Sequence, residues 1–132
     1  MNQSIEDIIR QSTFKVENGI FVYTKVKTLP KVGNHFLVSQ DRYEITVVTL
    51  EENLKELDLI ERNKEEYKLI ALNVSVPFYA VGFLATVSNA IAKRGMNILI
   101  VSTYSRDYIL IKKEKLQEAR QVLTSLGFQE KD

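Results

Sequence analysis

The sequence predicts an α+β fold. Three observations carry the prediction: β-prone runs bounded by turn residues recur along the chain, two segments of the second half place apolar residues at helical spacing, and from residue 67 the signals fall in the order strand, helix, strand, strand, helix. The 132 residues, 45% hydrophobic and 27% charged, suffice for one ordinary domain or two half-sized units sharing a core.

Ser4 ahead of Ile5, Ile8 and Ile9, with Asp7 three residues on, predicts a short capped helix. In FKVENGIFVYTKV, Asn18 and Gly19 stand between two β-prone runs and predict a hairpin, because a type I′ turn wants φ > 0 at both central positions. Pro30 and Gly33 break residues 28–34 into a loop, and the β-rich stretch HFLVSQDRYEITVVTL is interrupted at 40–42. EENLKELDLI places Leu54, Leu57 and Ile60 at helical spacing behind acidic residues that suit a helix N-terminus. The charged run ERNKEEYK reads as a solvated connector.

KLIALNVSV is nearly continuous in β-prone apolar residues, as expected of a strand covered on both faces. Pro77 ends it, and VGFLATVSNAIAKR puts Val81, Leu84, Val87 and Ile91 on one helical face, with Lys93 and Arg94 in the last turn and Gly95 as the stop. NILIVSTY and DYILI are two strands separated by Ser105 and Arg106, an antiparallel hairpin. EKLQEARQVLTSL aligns Leu116, Ala119, Leu123 and Leu126 and stops at Gly127. This is a ferredoxin-like βαββα unit, whose last strand is not identifiable in the short, charged residues 128–131. The N-terminal strands or a second subunit are the candidates to fill that edge. The chain thus divides into a β-rich half, 1–66, and a clearer unit, 67–132.

Composition excludes much chemistry. Without cysteine there is no disulfide, thiolate zinc site, iron–sulfur centre or cysteine nucleophile, and the one histidine, His35, forms no cluster and reads as an exposed turn residue. No metal or cofactor is expected. A net charge of +1 offers no field for nucleic acid, and DYILIK lacks the aromatics with which an RNA-recognition strand stacks on bases. No P-loop, GxSxG, GxGxxG or HExxH occurs, so the protein is not expected to be an enzyme. No run nears the roughly 20 apolar residues of a membrane span, and MNQSIEDIIR has no signal-peptide character, which predicts a cytoplasmic protein with no membrane partner.

The segment VPFYAVGFLATVSNAIAKRGMNILIVSTYSRDYILIKKEKLQEARQVLTSLGF resembles the ACT domain, a βαββαβ small-molecule-sensing module of amino-acid-regulated enzymes. The likeness is to small free-standing prokaryotic members related to aspartate kinase regulatory domains and cytosolic arginine sensors. Gly82, Gly95 and the run 102–108 carry it, while Ser105 and Arg106 depart from a pattern that often has an acidic residue followed by Thr. The N-terminal half resembles a looser ACT-like unit, giving a tandem arrangement. What the resemblance implies is non-catalytic binding of a small molecule, an amino acid first, by a homodimer whose site lies at a module or subunit interface. A structural or interaction module without a ligand is the alternative.

An amino acid needs donors for its carboxylate and acceptors for its ammonium. Free backbone N–H groups at a helix N-terminus supply donors, which points to Pro77, Phe78, Val81 and Gly82 at the strand-to-helix junction. Gly82 either admits a ligand close to the backbone or permits tight helix–sheet packing. Asn97, at the turn before the next strand, is either an effector contact, as the resemblance implies, or an ordinary turn residue. Thr103 shares a strand face with Leu99 and Val101, and Asp107, the one acid of the hairpin, either holds an ammonium or caps the turn. Phe78 and Tyr79 either wall a ligand or lid the core, and Asn73 and Ser75 interrupt an apolar strand and call for polar partners.

Overall fold

The computed structural model describes residues 4–31, 33–74 and 81–132. In chain order its elements are helix α1 (Ile5–Arg10) and strands β1 (Thr13–Val16), β2 (Phe21–Val26), β3 (Leu37–Gln40) and β4 (Ile45–Leu50). A 3₁₀ helix, Glu51–Glu56, precedes β5 (Leu59–Arg62) and β6 (Tyr67–Asn73). Then come α2 (Phe83–Lys93), β7 (Leu99–Ser102), β8 (Asp107–Lys112), α3 (Leu116–Leu126) and β9 (Gln129–Lys131). The chain divides into two compact units, one of residues 1–18 with 68–132 and one of residues 19–67.

In the first unit the predicted strand, helix, strand, strand, helix order is present and a last strand follows it. β7 pairs antiparallel with β8, and β8 pairs with β6. On the other side of β6 lies β1, antiparallel to it from Thr13↔Asn73 to Val16↔Ile70, and β9 lies parallel to β1 from Thr13↔Gln129 to Lys15↔Lys131. Residues 128–131 therefore do contain the closing strand, and an N-terminal strand is inserted between it and β6. The pairing is long-range, so local charge and length concealed it.

The predicted hairpin at Asn18 and Gly19 is not formed: β1 pairs with β6 and β9, whereas β2 pairs with β4 and β5. Gly19 has φ 92° but no described non-glycine residue has positive φ, so Asn18 lacks the conformation that a type I′ turn requires. Glu17 N–H instead donates to Leu69 O at 2.8 Å, extending the β1–β6 ladder.

Apolar burial drives this unit. Ile70 and Leu72 from β6, Val87 and Ile91 from α2, Ile109 and Ile111 from β8, and Ala119 and Leu123 from α3 close one core. Phe128 is its aromatic hub, meeting Phe14 at 6.4 Å and Phe83 at 5.8 Å between centroids, both edge to face. Leu69, Ile70, Ala71 and Leu72 are all buried, as a strand covered on both faces requires. Ser4 caps α1 by accepting from Asp7 N–H at 3.1 Å, as predicted. Val81 departs from expectation: α2 begins at Phe83, and Val81 lies before it, 89% exposed.

In the second unit β2 pairs with β4 over its whole length, from Phe21↔Leu50 to Val26↔Ile45, and β3 with β4 from Leu37↔Val48 to Gln40↔Ile45. The break at 40–42 is the β3–β4 turn, where Asp41 Oδ1 accepts from Tyr43 N–H and Glu44 N–H at 2.7 and 3.0 Å. The helix predicted through Ile60 stops at Glu56, and Leu59 and Ile60 belong to β5 on the flank of β2. Tertiary pairing overrides the helical spacing there. His35 is half-buried, not exposed, with Nδ1 2.8 Å from Oγ1 of the fully buried Thr49.

Candidate functional site

The first unit gathers polar groups at the end of its sheet where β6 finishes. The β7–β8 turn spans residues 103–106, longer than Ser105 and Arg106 alone, and is closed by its own hydrogen bonds. Thr103 donates to Arg106 O from its N–H at 2.8 Å and from Oγ1 at 3.1 Å, and Ser102 Oγ donates to Asp107 Oδ1 at 2.6 Å. Arg106 Nε then donates to Asn73 Oδ1 at 2.9 Å, tying the turn to the last residue of β6. The polar interruption at Asn73 thus has its partner.

α2 starts at the residue after Gly82, which has φ 86° and supplies no side-chain cap. Among the described residues, a Cβ at Gly82 would meet nothing within 4 Å. Tight packing against the described residues therefore does not explain this glycine; its left-handed backbone does. Gly82 O accepts from Thr86 N–H and Thr86 Oγ1, each at 2.9 Å. The first-turn N–H groups carry the partial positive charge of the helix start.

Of the sequence-predicted residues, Pro77 and Phe78 lie outside the described residues, as do Ser75 and Tyr79. Val81 and Gly82 are exposed just ahead of α2. Thr103 is the first residue of the turn braced against β6, and Asp107 is the residue that follows the turn. Asn97, also exposed, lies two residues before β7 while Thr103 lies one after it, so six residues of nearly extended chain, roughly 20 Å at about 3.3 Å each, separate them. One copy of the chain does not bring Asn97 to the other groups. Arg106, noted in the sequence only as a departure from a pattern, is a cation at this end of the sheet; its anchoring by Asn73 had no local signal.

The second unit has a separate polar concavity of about 420 Å³ lined in part by Tyr23, Lys25, Glu44, Glu61 and Arg62. Its charges are largely matched: Lys25 Nζ is 4.0 Å from Glu44, and Arg62 reaches Glu51 at 3.3 Å and Glu66 at 3.9 Å. Burial raises the Tyr23 and Tyr67 phenols above their ordinary range, with the rings packed edge to face at 5.8 Å. Among the described residues, no group of three or more His, Asp or Glu is placed to hold a metal ion, and no helix is long and apolar enough to cross a membrane.

Residues 64–125 match the family model of the ACT domain. No curated protein matches the sequence. Among solved structures, a Vibrio cholerae protein of unknown function superposes with TM-score 0.77 at 22% identity, over 93% of this chain and 95% of that one. The regulatory subunit of aspartate kinase from Thermus thermophilus, in a ligand-free form, gives TM-score 0.62 at 11% identity, over 86% and 95% of the two chains. Aspartate kinase of Clostridium acetobutylicum gives 0.63 at 13% identity, over 87% of this chain and 34% of that one. At these identities the structures establish a shared fold. Residues 64–125 thus match the ACT domain in sequence, and the solved structures share their fold with this chain.

Proposed function

We propose that the chain is a non-catalytic regulatory protein that binds a small metabolite, an amino acid first, at the end of its ACT domain where α2 begins. The observation that carries the reading is the start of α2: among the described residues no side chain caps it and none comes within 4 Å of a Cβ placed at Gly82. A carboxylate seated there satisfies backbone N–H groups and the helix dipole together. In this reading Val81 and Gly82, with Pro77 and Phe78 ahead of them, contact the ligand. Thr103 and Asp107 border it, Asp107 offering its second oxygen to an ammonium.

Asn97 enters such a site from a second copy. β7 pairs only with β8 among the described residues, and its sequence, LIVS, has none of the charges that protect a sheet edge. Antiparallel pairing of two β7 strands about Ile100 sets Asn97 of one copy opposite Thr103 of the other, which supports a homodimer with shared sites. The ligand then acts by favouring one packing over another, to the extent of its differential affinity. The tandem arrangement, ACT-like over 1–66 and ACT over 67–132, and a cytoplasmic location belong to the same proposal.

A thermal-shift panel of the twenty amino acids and nucleobases tests it. Ligand at about 100 times its Kd stabilises by about 2.7 kcal/mol, and Gly82→Asp removes the shift. A flat millimolar panel favours the second reading, an interaction module that uses the uncharged β7 edge for assembly alone. A protein that stays monomeric with and without ligand rules out the shared site.

A further inference from the structure

The guanidinium of Arg106 is placed rather than merely present. Its backbone is held in the turn by two bonds from Thr103 to Arg106 O, and its Nε is held by Asn73 Oδ1 at 2.9 Å. With Nε occupied, the two terminal nitrogens remain, and their parallel N–H bonds match the two oxygens of a carboxylate. Among the described residues no carboxylate lies within ion-pair distance of Arg106, and the acid next to it in sequence, Asp107, accepts from Ser102. A surface arginine with only a solvated role needs no amide brace reaching from a strand 33 residues away.

We infer that Arg106 is the specificity-determining residue of the candidate site and selects an acidic ligand, an amino acid or small metabolite with a second carboxylate. The inference rests on the ligand-binding reading above. The α2 start takes one carboxylate, the fixed guanidinium takes the other, and Asn73 acts as a positioning residue. Bidentate charged hydrogen bonds distinguish a carboxylate from its isosteric amide, because the amide presents one acceptor and one donor.

The test is calorimetric titration with L-aspartate and L-glutamate against L-asparagine and L-glutamine. The expected result is a preference for the acids of about tenfold or more, lost in Arg106→Gln, partly kept in Arg106→Lys and reduced in Asn73→Ala, which retains the charge. Because the readout is a ratio of affinities, a purely structural role for Arg106 would lower the melting temperature without moving it. Equal binding of acids and amides, or a preference that survives Arg106→Gln, overturns the inference. Binding of only neutral or basic amino acids overturns this inference while sustaining the ligand-binding reading; no binding of any amino acid overturns both.

Discussion

Ser102 donates its hydroxyl hydrogen to Asp107 Oδ1 at 2.6 Å across the mouth of the β7–β8 turn, joining the last residue of one strand to the first of the next. The bond is exposed, so Ser102→Ala is expected to lower global stability by only about 0.5–1.5 kcal/mol in urea denaturation. The local effect should be larger. The Thr103 amide, which donates to Arg106 O, should exchange with solvent faster, while amides of β6 keep their protection. Uniform acceleration across both strands would contradict a turn-restricted role.

Gly82 and Gly127 both have positive φ, 86° and 117°, but their surroundings differ. At Gly82 an alanine meets none of the described residues and costs the left-handed strain, about 1–2 kcal/mol. At Gly127 the added Cβ also comes 3.2 Å from Arg10 Cγ and 3.8 Å from Arg10 Cα. Gly127→Ala is therefore expected to be the more destabilising in paired denaturation curves, and the reverse order would count against this account.

Phe128 is 2% exposed and touches aromatic rings from β1 and from α2. Phe128→Ala should cost about 3–5 kcal/mol, a large share of the roughly 5–15 kcal/mol that holds most domains. Phe128→Leu should cost distinctly less, since it keeps most of the volume. A loss under 1 kcal/mol, on the order of a surface change, for the alanine variant would place the hub elsewhere.

Burial raises the Tyr23 phenol, with Tyr67 adding to it, from an ordinary value of 10.0. A folded-state value above the unfolded one means that stability is complete below about pH 10 and falls as the pH climbs through the folded value. Tyr23→Phe should flatten this alkaline loss. A wild-type stability curve already level above that pH would refute the assignment.

How far the sequence discloses this fold depends on the range of each interaction. β6, β8, α2 and α3 were legible because their burial follows a local period: Val87 and Ile91 on one helix, Ala119 and Leu123 on another, and the unbroken run Leu69 to Leu72. Asn18 and Gly19 misled because a turn signal says nothing about which strand will be the neighbour. Leu57 and Ile60 fitted a helix, yet the flank of β2 drew Leu59 and Ile60 into a ladder. In the candidate site, Gly82 and the turn at 103–106 could be found locally. The brace between Arg106 and Asn73 could not, since it exists only after β6 and β8 lie side by side.

The insertion of β1 between β6 and β9 has a consequence for how the protein is made. Residues 13–16 are synthesised well before their parallel partners at 129–131. During translation β1 has no place to go until β6 emerges, and it stays a sheet edge until residues 129–131 follow. Contacts this distant in sequence slow folding, and the nascent β1, with Phe14 still unburied, is the segment for which a chaperone's protection would matter most.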